Sequence, residues 1–208
     1  IGVAHNGNLT NSISLRKKLV EEGAIFYTTS DTETIVQLIA KSKRPQTIDK
    51  VIDAIFQIQG GYALVMLTQN SLIGVRDPYG IRPLVIGKLG SSYVLASETC
   101  AFDIIGAKFI REVENGEIVL IEKNELKSIK PFPLKKVRPC VFEYIYFSRP
   151  DSLIGGKTAY EHRKNLGREL AKESKIDADI VVPVPDSGNA AAMGFAQELK
   201  MNFEHGLI

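Results

Sequence analysis

The sequence has 208 residues, of which 44% are hydrophobic and 24% charged, and its 26 lysines and arginines nearly balance 24 acids to give a formal net charge of +2. These values are ordinary for a globular protein of one or two domains, and they argue against nucleic acid or another polyanion as a partner. The two cysteines, Cys100 and Cys140, do not form a disulfide framework, and no apolar run approaches the roughly 18 residues of a membrane helix, so we expect a cytoplasmic protein without a membrane partner.

The chain begins at Ile1, in what reads as the middle of a strand, and without an initiator Met, so we expect a fragment. The strand is predicted to stop at His5, because Asn6 and Gly7 tolerate a left-handed backbone and favour a turn. A helix over about residues 12–22 follows. This corner exposes the Asn6 carboxamide and the Gly7 backbone N–H, and two converging neutral donors can form an oxyanion hole. The same Asn-Gly pair is also an ordinary turn signal.

Two more helices are predicted before residue 60. Ile25–Thr29 is β-branched and aromatic, which favours an extended segment. Ser30 and Glu33 match a capping box at the start of the second helix, where Asp31 would also interact favourably with the helix dipole. Pro45 ends this pattern, and a third, amphipathic helix follows. Its apolar positions are Val51, Ile52, Ile55 and Ile58.

From residue 62 onwards, the apolar residues occur in short runs with the spacing that is typical of β-strands. The predicted strands are Tyr62–Leu67, Leu72–Val75, Pro83–Ile86, Tyr93–Ala96, Ile110–Val113, Glu117–Glu122 and Leu126–Ile129. One short helix interrupts them over Thr99–Ile105. Helices followed by a strand-rich meander predict a layered α/β fold with mostly antiparallel sheets.

The segment Pro131–Pro139 contains three prolines and three basic residues, which predict an extended, semi-rigid connection. We place the domain boundary there, between residues 1–138 and 139–208. Beyond it we predict a strand over Cys140–Tyr146 and a loop over Ser148–Gly156. A helix follows, from about Ala159 to Ser174, with Leu166 and Leu170 one turn apart.

The last part of the chain predicts the beginning of a parallel α/β domain. Asp179–Pro185 reads as an apolar strand, Asp186–Asn189 as a polar loop, and Ala190–Lys200 as a helix. A loop that joins such a strand to a helix N-terminus is a natural anion site. Alternatively, Asp186 or Ser187 caps the helix.

Five motifs occur in a characteristic order along the chain. They are His5–Asn11, Thr28–Asp31, Arg76–Leu84, Tyr144–Ser152 and Val184–Ser187. Together they resemble the amidophosphoribosyltransferases, and the resemblance covers essentially the whole chain. It implies an N-terminal-nucleophile (αββα) glutaminase domain over residues 1–138 and the start of a type I phosphoribosyltransferase domain over residues 139–208.

The resemblance also implies an activity. Ammonia released from glutamine would displace pyrophosphate from phosphoribosyl pyrophosphate, which forms 5-phosphoribosylamine in the first step of purine biosynthesis. We expect a homo-oligomer. Asparagine synthetase and glucosamine-6-phosphate synthase share the glutaminase architecture and stay open as alternatives, as does a degenerate homologue that only binds a nucleotide or a partner.

The resemblance assigns roles to individual residues. The Asn6 side chain and the Gly7 N–H would form the oxyanion hole, and Asp31 would hold the substrate α-ammonium. Arg76, Asp77 and Arg82 are interpreted as a turn held by ion pairs. His5 is interpreted as a packed or hydrogen-bonded residue at the strand end rather than as a base.

Two residues are assigned to metals by the same resemblance. Ser187 would contact a Mg²⁺ ion bound with phosphoribosyl pyrophosphate. Cys140 would be the first ligand of a [4Fe–4S] cluster that some members of the family carry, although a lone cysteine is also often a small buried hydrophobe. The family nucleophile is an N-terminal cysteine, which neither Cys100 nor Cys140 can replace. We therefore expect these 208 residues alone not to hydrolyse glutamine.

Overall fold

The computed structural model describes residues 1–174 and 176–208. These residues divide into two compact units. The first unit comprises Ile1–Ser97 and Ala101–Pro139, and the second comprises Glu98–Cys100 and Cys140–Ile208. The assignment of residues 1–138 to a glutaminase and of 139–208 to a phosphoribosyltransferase stays a prediction.

The first unit is built from helices and antiparallel strands. Its helices are α1 (Ser12–Glu21), α2 (Asp31–Lys41), α3 (Thr47–Ile55) and α4 (Cys100–Ile105), the last of which begins in the segment that groups with the second unit. Its strands are β1 (Gly2–Leu9), β2 (Gly60–Leu67), β3 (Ser71–Arg76), β4 (Val85–Leu89), β5 (Ser92–Ala96), β6 (Lys108–Glu112), β7 (Ile118–Glu122) and β8 (Glu125–Ile129). Within the described residues, β1-β2-β3-β7-β8 form a five-stranded sheet and β5-β4-β6 a three-stranded one.

The two sheets of the first unit stack, because alternate side chains of the central strands enter different cores. Tyr62 and Leu64 of β2 pack in the core that contains α1–α3, whereas Ala63 packs in the core that contains β4. On the other face of the three-stranded sheet, Phe102 of α4 packs against Val85. The predicted helix–sheet–sheet–helix layering is therefore confirmed.

The predicted turn at Asn6-Gly7 is wrong, because β1 continues through both residues to Leu9 and pairs with β2 along its whole length. Gly7 has φ +138°, and a Cβ there would overlap the carbonyl oxygen of Gly61 on the neighbouring strand. Glycines on both strands thus allow an unusually close approach of the backbones. The chain turns only after Leu9, and Asn11 then precedes α1.

The predicted extended segment Ile25–Thr29 is not a strand. Its backbone is held instead by Glu33, whose carboxylate accepts the N–H groups of Tyr27 and Thr28 at 2.8 Å each. Glu33 is thereby occupied and does not complete the predicted capping box. Ser30 still caps the helix in the ordinary way, since its Oγ accepts the N–H of Thr32 at 3.2 Å.

The second unit contains short strands and two longer helices in its described part. Its elements are a π-helix (Glu143–Phe147), β9 (Leu153–Ile154), β10 (Lys157–Thr158), α5 (Ala159–Glu173), β11 (Ile180–Val181), α6 (Asn189–Leu199) and β12 (Asn202–Phe203). β11 and β12 are parallel and are joined by α6. The helices α5 and α6 touch at the backbone, since a Cβ at Gly167 would overlap the carbonyl of Ala191 and one at Gly194 that of Lys164.

The predicted helix over Ala159–Ser174 is observed as α5, whereas two strand predictions for the second unit are wrong. Cys140–Tyr146 is not a strand, because residues 141–147 are helical, and a short apolar run does not distinguish the two states. The side chains of Leu166 and Leu170 on α5 are about half exposed, while Arg163 faces inward. The strand predicted over Asp179–Pro185 is reduced to β11.

Arg163 binds the C-terminal part of the helical segment 143–147. Its guanidinium donates to the carbonyl of Tyr144 at 2.9 Å and to that of Ser148 at 2.6 Å, so it binds free carbonyls at this helix. Burial lowers the pKa of Arg163. Among residues 1–174 and 176–208, no helix is both long and apolar enough to cross a bilayer.

Candidate functional site

The side chain of Asn6 is the centre of the candidate site in the first unit. Its Oδ1 accepts two hydrogen bonds from Arg82, one from Nε at 3.0 Å and one from Nη2 at 2.5 Å. Its Nδ2 donates to Ser97 Oγ at 3.3 Å. The carboxamide is therefore oriented, with its oxygen towards the arginine and its donor group on the other side.

Gly7 follows Asn6 directly, and its position on β1 is open to solvent. The close approach of Gly61 leaves no room for a side chain there, and β1 lies at the edge of its sheet in the described residues, so the exposed backbone of Gly7 faces solvent on the side away from β2. The structure therefore places the two predicted oxyanion donors next to each other on one strand instead of in a turn.

Arg82 reaches Asn6 from a tight turn that follows β3. Asp77, which is 0% exposed, accepts the backbone N–H groups of Tyr79 at 2.9 Å, Ile81 at 2.8 Å and Arg82 at 3.3 Å. Burial raises the pKa of Asp77, and the hydrogen bonds from the backbone oppose that shift only in part. The turn is thus organised around one buried carboxyl group.

Arg76 braces the same turn from the other side. It donates to the carbonyls of Arg82 at 2.9 Å, Gly80 at 3.3 Å and Val113 at 2.6 Å. Its ion pair is with Glu112 at 3.2 Å. The prediction of a turn held by ion pairs is confirmed for Arg76, which pairs with Glu112, whereas Asp77 accepts backbone N–H groups.

Asp31, the predicted substrate ligand, lies at the first turn of α2 beside β1. Its Oδ2 accepts the Leu9 N–H at 2.9 Å, and its Oδ1 lies 3.6 Å from His5 Nδ1. The His5 side chain is 2% exposed, its Nδ1 lies 3.2 Å from Thr32 Oγ1, and its Nε2 is buried without a partner. Burial lowers the pKa of His5 despite the opposing charge of Asp31. His5 is thus a packed, hydrogen-bonded residue, as predicted, but it lies within β1 and not at its end.

Arg82 and Ser97 are hydrogen-bond partners of Asn6 that the sequence did not predict. Arg82 lies in the Arg76–Leu84 motif, but there it was interpreted only as a part of the turn. Ser97 follows the end of β5 and has no sequence signal of its own. Each lies far from Asn6 in sequence, by 76 and 91 residues respectively, so only the fold reveals these contacts.

The loop before α6 carries Ser187, the predicted Mg²⁺ contact. The residue at the N-cap of α6 is Gly188, and no side chain caps this helix, so the alternative role of Asp186 or Ser187 as its cap is not observed. Asn189 Oδ1 is buried without a partner, and a cavity of ≈ 500 Å³ is lined by Pro185, Asp186, Asn189, His205, Leu207 and Ile208. The carboxylate of Asp186 and the amide oxygen of Asn189 are ligand types that Mg²⁺ prefers, so these two residues fit that ion, whereas Ser187 is not among the residues that line the cavity.

Cys140, the predicted cluster ligand, is half-buried, and Cys100 is 6% exposed. A [4Fe–4S] cluster requires about four cysteine thiolates. The sequence has two cysteines, and the described residues contain no group of three or more His, Cys, Asp or Glu that could hold a metal. The residues of this chain therefore do not fit a complete cluster by themselves.

The chain is similar to curated amidophosphoribosyltransferases along its whole length. Residues 1–103 match the family model of the glutamine amidotransferase domain. The sequence is 53% identical to the amidophosphoribosyltransferase of Rhizobium etli over all of this chain and 43% of that protein. It is 47% identical to the chloroplastic amidophosphoribosyltransferase 1 of Arabidopsis thaliana over all of this chain and 37% of that protein.

A solved structure of the glutamine phosphoribosylpyrophosphate amidotransferase of Bacillus subtilis, in complex with ADP and GMP, has the same fold. It matches with a TM-score of 0.95 and 46% identity over 99% of this chain and 45% of that one. The chain spans less than half the length of the curated relatives it matches.

Proposed function

Since the chain belongs to the amidophosphoribosyltransferase family, we propose that the whole protein makes 5-phosphoribosylamine from glutamine and phosphoribosyl pyrophosphate. This would be the first step of purine biosynthesis. The observation that carries the proposal is the oriented Asn6 carboxamide beside the open Gly7 position, within the residues that match the glutamine amidotransferase domain. The reaction needs a glutaminase site and a phosphoribosyl site.

At the first site, a nucleophile attacks the side-chain amide of glutamine, and negative charge develops on the carbonyl oxygen. The Asn6 Nδ2–H and the Gly7 N–H are proposed to stabilise that charge. Loss of one such donor typically costs about 3 kcal/mol of activation free energy. The amide C–N bond then breaks, ammonia leaves, and water releases glutamate from the acyl-enzyme. By resemblance, the nucleophile is an N-terminal cysteine outside the present chain.

Asp31 is proposed to bind the α-ammonium of glutamine. Its side chain is 21% exposed, so it is partly accessible from solvent. The lowered pKa of His5 favours the neutral imidazole, which leaves the negative charge of Asp31 without compensation from that ring. A partly buried carboxylate of this kind attracts a cation more strongly than one in bulk water.

At the second site, the loop Asp186–Asn189 is proposed to bind phosphoribosyl pyrophosphate. A Mg²⁺ ion bound there would neutralise charge on the pyrophosphate as it leaves. Ser187 is proposed as its protein contact, and the buried Asn189 Oδ1 supports an oxygen-rich surrounding. The loop precedes a helix N-terminus, which favours anions.

A role of Cys140 as one ligand of a [4Fe–4S] cluster is a separate proposal, on which no reaction step depends. A homo-oligomeric assembly is likewise proposed from the family. Iron analysis of the full-length protein purified without oxygen tests the first, and scattering in solution tests the second. Iron lost in the Cys140→Ser variant would support the ligand, whereas an iron-free active enzyme would overturn it.

The proposed activity is tested with the full-length protein, glutamine, phosphoribosyl pyrophosphate and Mg²⁺. We expect glutamate and pyrophosphate to form in equal amounts. Parallel assays replace phosphoribosyl pyrophosphate by ATP with aspartate, or by fructose 6-phosphate. Product formation only in one of those assays would assign the protein to the asparagine synthetase or glucosamine-6-phosphate synthase reaction, and no product in any would indicate a binding protein.

A further inference from the structure

The Asn6 carboxamide is held by a residue whose own position is fixed by the fold. We propose that Arg82 is a positioning residue that orients and polarises Asn6 for stabilisation of the oxyanion. The inference rests on the proposed hydrolysis of glutamine at this site. It extends that proposal by assigning a role to Arg82, which would act on the substrate only through Asn6.

The first argument is the pattern of donors and acceptors. A guanidinium group offers only donors, whereas a carboxamide offers an oxygen acceptor at one end and an N–H donor at the other. Two Arg82 donors on Asn6 Oδ1 therefore determine which end faces the arginine. The reversed amide would set N–H groups against N–H groups. The contact thus keeps the Asn6 Nδ2–H pointing away from Arg82, so that it can donate to the oxyanion in the proposed reaction.

The second argument is the rigidity of the segment that carries Arg82. Its backbone N–H donates to the buried Asp77 carboxyl at 3.3 Å, and its carbonyl accepts from Arg76 Nε at 2.9 Å. Arg76 is itself held by the carbonyl of Val113 at 2.6 Å. The backbone of Arg82 is therefore tied to a compact turn through both its N–H and its carbonyl, so only the rotamer freedom of its side chain is lost when it is ordered on Asn6.

The third argument is electrostatic. A hydrogen bond from a charged donor to an amide oxygen polarises the amide and strengthens the donor at its other end. The Asn6 Nδ2 now donates to Ser97 Oγ at 3.3 Å, which is long for an N–H···O bond. A developing oxyanion is a stronger acceptor than this hydroxyl and can replace it. Arg82 would therefore add to the transition-state preference of Asn6 without touching the substrate.

The test is a double-mutant cycle on glutamine hydrolysis by the full-length protein. We expect Asn6→Ala to lower kcat by about 10²- to 10³-fold, the usual effect of losing one oxyanion donor. Arg82→Met should lower kcat by about 10- to 100-fold, as for a lost hydrogen bond to a charged group, with little change in the KM for glutamine. The double variant should be no slower than Asn6→Ala alone, because the proposed effect of Arg82 on the oxyanion passes only through Asn6.

Two further variants separate positioning from general stability. Arg82→Lys keeps a cationic donor and should recover part of the kcat lost in Arg82→Met. Arg44→Met removes an arginine that is 62% exposed and paired with Asp53, and it should leave kcat unchanged. Thermal unfolding of each variant reports on folding. If Arg82→Met does not fold, the cycle is completed with Arg82→Lys.

Each outcome identifies which statement fails. If Asn6→Ala lowers kcat and the Arg82 substitution lowers it further by the same factor in both backgrounds, the positioning role is wrong and the proposed function stands. An Arg82→Met variant with normal kcat would also overturn it. Wild-type protein that releases no glutamate, or Asn6→Ala with full activity, would overturn the proposed glutaminase site and the role of Arg82 with it.

Discussion

The carboxylate of Asp31 accepts the backbone N–H of Leu9 at 2.9 Å, so the first turn of α2 is tied to the last residue of β1. This contact uses one carboxylate oxygen and brings the side chain next to the strand that carries Asn6 and Gly7. A structural role and a substrate-binding role can therefore be separated by the choice of substitution.

Asp31→Asn keeps an oxygen for the Leu9 N–H but removes the negative charge. We expect the KM for glutamine to rise by about tenfold or more, with the melting temperature nearly unchanged, since a cation loses an opposite charge. The measurements are steady-state glutamate release and thermal unfolding of the full-length protein. An unchanged KM in the Asp31→Asn variant would contradict the proposed contact with the α-ammonium. Asp49→Asn, on α3, is the matched control.

His5 predicts a pH dependence of stability. Its pKa is lowered by burial, so the unfolded state binds the proton first as the pH falls. The stabilisation is complete above the unfolded pKa of about 6.5 and is lost as the pH falls towards the folded pKa. Denaturant unfolding between about pH 7.5 and 5 should show a smaller decline in His5→Gln than in wild type. Equal slopes in both proteins would contradict this account.

We expect that adding a single methyl group at Gly7 lowers the free energy of unfolding substantially. Gly7→Ala places a Cβ against the carbonyl of Gly61 at a φ of +138°, so we expect a loss of at least about 2 kcal/mol in the free energy of unfolding. Gly2→Ala on the same strand is the control, because a Cβ there meets nothing within 4 Å. Chemical denaturation of both variants makes the comparison. A similar small effect at both positions would show that the strands separate easily.

Ser187 predicts a selective effect on the second reaction. Ser187→Ala in the full-length protein should raise the KM for phosphoribosyl pyrophosphate, because one oxygen contact to the bound Mg²⁺ is lost. Glutamine hydrolysis should be largely retained. Ser14→Ala, at an exposed hydroxyl that donates to the carbonyl of Asn11, serves as the control. An unchanged KM would remove Ser187 from the proposed site.

Much of the layered fold could be predicted from local patterns. The alternation in β2 follows from the strand period, since Tyr62, Leu64 and Met66 all face the same core. The helix α2 was likewise recognisable, because Ser30 precedes it and Ile35 and Leu38 share its buried face. Each of these signals lies within one secondary-structure element, so a single sequence is sufficient to predict the strand β2 and the helix α2.

The errors arise where distant residues decide the local structure. Asn6-Gly7 stays in a strand because it pairs with Ala63 and Tyr62 of β2, and that partner cannot be read from the turn propensity of the pair. The segment 143–147 is helical where a strand was predicted, and Arg163 binds its carbonyls from another element. The contact of Arg82 with Asn6 joins residues 76 positions apart. Tertiary contacts of this kind are set by the fold rather than by local preference.

The most direct test of the central claim follows the amide nitrogen itself. The full-length protein is incubated with glutamine labelled with ¹⁵N in the side-chain amide, phosphoribosyl pyrophosphate and Mg²⁺, and the sugar product is analysed by mass spectrometry. We predict ¹⁵N in 5-phosphoribosylamine for wild type and a large loss of label for Asn6→Ala, which should still incorporate ¹⁵N from added ammonium. Product without label from glutamine, or labelling that is unaffected by Asn6→Ala, would contradict the account.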